Sequence, residues 1–91
     1  MNNQIFKYGP LRVQNHPQDW QSLTLPEYSV FRHFGIQDGL LYAWFEVNTC
    51  AIKSEIQVTI IGTGWDVPEE ADYLGTCISQ DGYVWHLYQR A

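Results

Sequence analysis

The sequence predicts an all-β fold, a small antiparallel β-sandwich or barrel of about six short strands. Two Asp-Gly pairs, Asp38-Gly39 and Asp81-Gly82, stand between largely apolar segments and indicate hairpin turns. Apolar and polar residues alternate along several segments, which is the period of a strand with one buried face. No long segment carries the 3.6-residue period of an amphipathic helix. A length of 91 residues predicts a single domain covering residues 1–91.

The first hairpin is predicted at residues 36–47, around Asp38-Gly39. A type I′ turn needs positive φ at both central residues, which Gly adopts freely and Asp more readily than most residues. The strand after this turn, residues 40–48, carries apolar side chains at both odd and even positions. We therefore expect a central strand that is covered on both faces. The turn at Asp81-Gly82 is expected to repeat the geometry of the first.

The remaining strands are predicted from alternation and from the residues that interrupt it. Residues 4–13 are broken by Gly9-Pro10, which predicts a bent strand or an edge strand. Further strands are expected at residues 20–25, 29–37, 55–61, 73–79 and 83–89. Residues 14–19 are polar and predict a simple connection, and residues 66–72 form the most acidic loop.

The composition limits the classes of partner. The net charge is −5, and the five Lys and Arg residues are scattered. Because a nucleic-acid binder needs a positive patch to displace counterions, direct nucleic-acid binding is not expected. An acidic surface suits a basic protein partner instead. No apolar run reaches the ~18 residues that span a bilayer. Residues 1–6 do not resemble a signal peptide, so we expect a cytoplasmic protein whose Cys50 and Cys77 are reduced.

No catalytic residue, metal site or cofactor is expected. Residues 62–64, Gly-Thr-Gly, lack the Lys-Ser/Thr that a phosphate-binding loop needs, and they are expected to let the chain turn beneath Trp65. The three histidines are His16, His33 and His86, and no nucleophile stands at a recognisable spacing from them. The chain is therefore expected not to be an enzyme. The alternative is an enzyme whose histidines and acids meet only in the fold.

The first candidate site is an acidic cluster beside a tryptophan. Its residues are Trp65, Asp66, Glu69, Glu70 and Asp72. One interpretation is a solvated loop with no partner. The other is a docking surface for Lys or Arg of a partner protein, in which charge accelerates association and the indole is the apolar anchor.

The second candidate site is a set of four aromatic residues. Tyr42 and Trp44 share one strand face, and Tyr83 and Trp85 share another. Packing in the core is one interpretation. If the rings are exposed, they form an aromatic surface for a second copy of the chain, for a target protein or for a nucleobase.

Several segments together resemble a known family. They are residues 6–8 with 10–11, residues 35–44 (Gly-Ile-Gln-Asp-Gly-Leu-Leu-Tyr-Ala-Trp), residues 61–65 (Ile-Gly-Thr-Gly-Trp), residues 73–76 and residues 84–88. This order is similar to that of short β proteins from phages, prophages and bacterial mobile elements, a family without an assigned activity. Residues 13–21 are longer than that pattern. The resemblance implies a small β protein and transfers no residue role.

Two functions are expected from these observations. The first is a phage or prophage accessory protein that binds a host protein and inhibits a host defence system, in the manner of an anti-CRISPR protein. Its partner would be a host defence complex with a basic surface, and a homodimer is an alternative assembly. The second is a small-ligand module that sequesters a nucleotide signal by aromatic stacking. Only Lys7, Arg12, Arg32 and Lys53 are expected to neutralise its phosphates.

Overall fold

The computed structural model describes residues 3–91 as seven antiparallel strands joined by turns and loops, without a helix. The strands are β1 (Asn3–Leu11), β2 (Gln21–Pro26), β3 (Val30–Gln37), β4 (Leu40–Asn48), β5 (Lys53–Gly62), β6 (Ala71–Ile78) and β7 (Val84–Arg90). They form a three-stranded sheet in the order β1-β4-β3 and a four-stranded sheet in the order β2-β5-β7-β6. The predicted all-β sandwich is confirmed, with seven strands where about six were expected.

The β3–β4 hairpin confirms the prediction for Asp38-Gly39. Its loop has two residues, because Gln37 pairs with Leu40 across the turn. The φ angles of Asp38 and Gly39 are 53° and 77°. Both are positive, which is the requirement of a type I′ turn.

The β6–β7 hairpin does not repeat that geometry. Ile78 pairs with Val84, so five residues connect the strands. The amide of Gly82 donates to the carbonyl of Ser79 at 3.0 Å, and Gly82 has a φ of 91°. Glycine therefore occupies the last position of a four-residue turn that starts at Ser79. The Ser79 hydroxyl donates to the Asp81 carboxylate, so Asp81 closes this turn through its side chain.

The expectation that β4 is covered on both faces is wrong. Ala43, Phe45 and Val47 are buried between the sheets, whereas Tyr42 and Trp44 on the opposite face are half-buried. A three-stranded sheet packed on a single partner sheet has one outer face open to solvent. The aromatic residues on this face pack along the sheet surface. Apolar side chains at both odd and even positions of β4 therefore do not require a second covering layer.

The core lies between the sheets and centres on Phe45. Its ring makes edge-to-face contacts with Tyr8 of β1 and Phe31 of β3, both at 5.7 Å between centroids. A bulge between Phe31 and His33 shifts the register of β3 against β4. Phe31 and Phe34 therefore both pack against the core, although simple alternation places them on opposite faces.

The expected bent edge strand is present. β1 is an edge of the three-stranded sheet, and its pairing with β4 shifts between Tyr8 and Leu11. Gly9 has a φ of 137°, and a Cβ there would lie 2.9 Å from Cδ1 of Tyr42. Glycine is thus required both by the backbone and by the ring that lies against it. Beyond the shift, Leu11 returns to the core.

Two further observations concern the predicted cellular context. Among residues 3–91 there is no helix of the length and apolar character needed to cross a bilayer. Cys50 is exposed and Cys77 is half-buried, and neither forms a disulfide. Burial raises the pKa of the Cys77 thiol.

Candidate functional site

A cleft of about 540 Å³ lies between two loops at one end of the sandwich. One wall is formed by residues 12–20, here called the 12–20 loop, which connect β1 to β2. The other is the 63–70 loop, which connects β5 to β6. Residues 14–18 and Trp20 line the first wall, and residues 65–69 line the second. A cleft of this volume is in the range of small-molecule and peptide side-chain sites.

The cleft divides the predicted acidic cluster. Trp65, Asp66 and Glu69 line it, and Glu70 and Asp72 do not. The carbonyl of Glu70 accepts a hydrogen bond from Ala91 at 2.8 Å, so this residue helps to tie down the C-terminal end of the chain. Asp72 belongs to β6, where it pairs with Gln89.

The opposite wall was missed by sequence reasoning, which treated residues 14–19 as a simple polar connection. The sequence predicts a strand over residues 20–25, whereas β2 begins at Gln21 and Trp20 lines the cleft. One signal was available. A tryptophan directly after a polar stretch with a proline is an aromatic side chain presented by a loop, and such residues are common in binding sites.

Asp19 holds the 12–20 loop in shape. Its carboxylate accepts hydrogen bonds from Nη2 of Arg12 at 2.7 Å and from the amide of Asn15 at 2.8 Å. Its backbone carbonyl accepts from Oγ1 of the buried Thr59 at 2.8 Å, and the amide of Gln14 donates to the carbonyl of Ile60 at 2.8 Å. These bonds fasten the loop to β5, so this wall of the cleft is ordered by the fold itself.

The chain turns beneath Trp65 at Gly62, in line with the sequence prediction. The amide of Trp65 donates to the carbonyl of Gly62 at 3.1 Å, and a Cβ on Gly62 would lie 3.1 Å from Cε2 of the Trp65 ring. The edge-to-face contact with Trp85 has a centroid distance of 6.0 Å. The side chain is nevertheless 45% exposed. Trp65 is therefore a braced aromatic surface next to solvent.

The four predicted aromatic residues lie in two separate places. The ring centroids of Tyr83 and Trp85 are 6.0 Å apart, and Trp85 also contacts Trp65. These three rings therefore form a row that ends at the cleft. Trp85 also packs against the core. Tyr42 and Trp44 are on the outer face of the three-stranded sheet, with centroids 6.1 Å apart. Trp85 therefore fits the core-packing interpretation, whereas Tyr83 is 63% exposed and Tyr42 and Trp44 are half-buried on an outer face.

The charges of the cleft are acidic and uncompensated. The ion pairs of the described residues are Arg12–Asp19 and Arg32–Glu46, so neither Asp66 nor Glu69 is in one. No Lys or Arg is among the residues that line the cleft. By contrast, Glu46 on the outer face of the three-stranded sheet is paired with Arg32. Hydrogen bonds from Asn3 and then Arg32, with the charge of Arg32, hold the pKa of Glu46 below its usual value.

The three histidines lie apart. His16 lines the cleft, and its Nδ1 is 2.7 Å from the carbonyl of Pro17. The His33 ring packs on Trp44 at 5.4 Å. Both ring nitrogens of His86 lie 2.9 Å from threonine hydroxyls, those of Thr63 and Thr76. None of these partners is a carboxylate. The enzyme alternative requires a histidine paired with a carboxylate. Within residues 3–91, no group of three or more His, Cys, Asp or Glu is placed to hold a metal ion.

Comparison with known proteins identifies a family. No curated protein and no solved structure matches the chain. A family described as "Domain of unknown function (DUF7352)" matches residues 1–91, the whole length of the chain. The chain therefore belongs to the DUF7352 family.

Proposed function

We propose that the protein acts by binding a partner protein with a basic surface at the cleft between the 12–20 and 63–70 loops. The observation that carries this proposal is the combination of Trp65, which is braced and exposed, with two carboxylates that have no ion-pair partner in the described chain. Binding hot spots commonly consist of a rigid aromatic anchor surrounded by polar groups. Uncompensated acids beside it accelerate encounter with a basic partner and select for it.

The proposed biological role is inhibition of a host defence complex in the cytoplasm of the host cell. It is supported by the resemblance to short phage and prophage β proteins and by the net charge of −5. Defence complexes that act on nucleic acid carry basic channels, and an acidic protein that occupies such a channel excludes its substrate. Of the ten Asp and Glu residues, only Asp66 and Glu69 line the cleft, so the contact is expected to be local.

Neutralising the cleft should weaken partner binding. In the double variant Asp66→Asn/Glu69→Gln, we expect affinity for the partner to fall about tenfold at low salt and less at high salt, because the lost term is electrostatic. The partner is recovered by capture on the parent protein, then purified and titrated by calorimetry against both proteins. Asp38→Asn is the matched control, since Asp38 is exposed in the β3–β4 turn and does not line the cleft. Equal affinity of the parent and the double variant at low salt would contradict the proposal.

A second candidate function is nucleotide binding on the outer face of the three-stranded sheet. The observation that favours it is Lys7, whose Nζ lies 4.5 Å from the Tyr42 ring centroid and donates to the neutral side chain of Gln37 at 2.7 Å. Its charge is therefore uncompensated beside half-buried rings, whereas Arg32 is already paired with Glu46. A base stacked on Trp44 could place a phosphate near Lys7.

Nucleotide titration tests this second candidate. If it is right, linear or cyclic nucleotides quench tryptophan fluorescence, and both Trp44→Ala and Lys7→Gln weaken the response by about fivefold or more, because stacking and phosphate contact are each lost. A panel of nucleotides that leaves the fluorescence unchanged would exclude it. The cleft variants serve as controls, since they lie on a different surface and should respond like the parent protein.

A further inference from the structure

We propose that the cleft recognises the guanidinium group of an arginine side chain on the partner. This inference rests on the proposed function and specifies its chemistry. The cleft combines indole surface from Trp20 and Trp65 with the carboxylates of Asp66 and Glu69, and it offers no basic side chain of its own apart from His16. Charge complementarity therefore requires a cation, and the aromatic walls favour one that is flat and weakly hydrated.

The two indoles contribute differently. Trp65 packs on Gly62 and makes an edge-to-face contact with Trp85, so little side-chain freedom is lost when a ligand packs on it. Trp20 already receives the guanidinium carbon of Arg90 at 5.7 Å from its ring centroid. Arg90 does not line the cleft and donates to Gln57 at 2.8 Å. The protein thus makes the proposed type of contact with one of its own arginines at the border of the site.

The carboxylates supply the second half of the recognition. Both Asp66 and Glu69 are exposed and, within the described chain, neither makes a hydrogen bond or ion pair. Asp19 is the only acid of the 12–20 loop, and its carboxylate already accepts hydrogen bonds from Arg12 and Asn15. Consequently the two carboxylates on the 63–70 wall are the ones available to a ligand. A guanidinium can stack on an indole and form two parallel hydrogen bonds to a carboxylate, which a lysine ammonium cannot.

The test uses three capped tripeptides that differ at one residue. Gly-Arg-Gly is the probe, Gly-Lys-Gly keeps the charge without the plane, and Gly-citrulline-Gly keeps the plane without the charge. Binding is followed by NMR through the indole N–H signals of the four tryptophans. We expect Gly-Arg-Gly to shift the Trp20 and Trp65 signals in a saturable way. The lysine peptide should bind several-fold more weakly, and the citrulline peptide should show no saturation.

Variants locate the contact. Trp65→Ala and Asp66→Asn/Glu69→Gln should each weaken binding of the arginine peptide by about tenfold. Tyr28→Ala and Asp38→Asn, which remove an exposed ring and an exposed charge outside the cleft, should leave it unchanged. All five substituted positions are exposed, so the variants are expected to fold like the parent protein.

Several results would overturn the inference. They are equal affinity for the arginine and lysine peptides, and saturable binding of the citrulline peptide. Tetramethylammonium is a fourth probe, and if it binds more tightly than the arginine peptide, the cleft is a site for a small-molecule cation instead. Absence of binding by all probes would also overturn it. If the cleft variants still lose the purified partner in these cases, the proposed protein-binding function stands and only the arginine chemistry fails. If partner binding survives the cleft variants, the proposed function itself fails.

Discussion

Phe45→Ala should lower the free energy of unfolding by about 3–5 kcal/mol, the usual cost of removing a buried phenylalanine ring. Phe45 is 2% exposed and lies in the middle strand of the three-stranded sheet. Its ring contacts Tyr8 and Phe31, which belong to the two strands on either side. The substitution therefore leaves a cavity where all three strands of the sheet meet the opposite sheet. Urea denaturation followed by tryptophan fluorescence measures the loss.

Two controls make this result interpretable. Phe45→Leu retains much of the side-chain volume and should lose clearly less stability than Phe45→Ala. Tyr28→Ala removes a ring that is 93% exposed and should change stability by no more than about 0.5 kcal/mol. If Phe45→Ala stayed within about 1 kcal/mol of the parent protein, Phe45 would not be at the centre of the core. Domains of this size have about 5–15 kcal/mol of stability in total, so the expected loss is a large share.

Asp19→Ala should cost about 2 kcal/mol and also remove the ordered wall of the cleft. The carboxylate of Asp19 joins Arg12 to the amide of Asn15, and both hydrogen bonds to this charged acceptor are lost. The ion-pair part of the cost is small, because the Arg12 side chain is 52% exposed. Hydrogen exchange at the Asn15 amide should accelerate markedly, and binding to the partner should weaken as the 12–20 loop loses its conformation.

Arg12→Ala separates the two contributions. It removes the ion pair and leaves the hydrogen bond from Asn15 in place, so it should cost less stability than Asp19→Ala and should leave exchange at Asn15 nearly unchanged. Equal losses for the two variants, with equal exchange at Asn15, would show that the carboxylate orders the loop only through Arg12.

Local signals in the sequence predicted the strands well. The residues 40–48 assigned to one strand coincide with β4 because a two-residue Asp-Gly turn determines where the strand begins. Gly9-Pro10 identified an edge strand because a proline cannot donate to a sheet ladder. Trp65 was placed above its glycines for a similar reason, since a chain that reverses at Gly62 brings the ring back onto it.

Features that depend on distant contacts were not predictable. The loop wall around Asp19 is fastened by Thr59, which is 40 residues away in sequence. Nothing near residues 14–19 indicates that partner. The register shift at Phe31 turns one ring from the outside to the inside, and a strict period of two cannot represent it. The acidic cluster was recognised as a unit, but the backbone directs only Asp66 and Glu69 into the cleft.

The break in β1 has a consequence for the behaviour of the protein at high concentration. An uninterrupted outer strand offers neighbouring molecules a template for fibre-like growth. Here Pro10 provides no N–H, and the shifted pairing between Tyr8 and Leu11 bends β1, so the edge of the sheet is not flat. The β1 edge of the three-stranded sheet is consequently protected from strand pairing with other copies, which helps a small protein rich in apolar residues to resist aggregation.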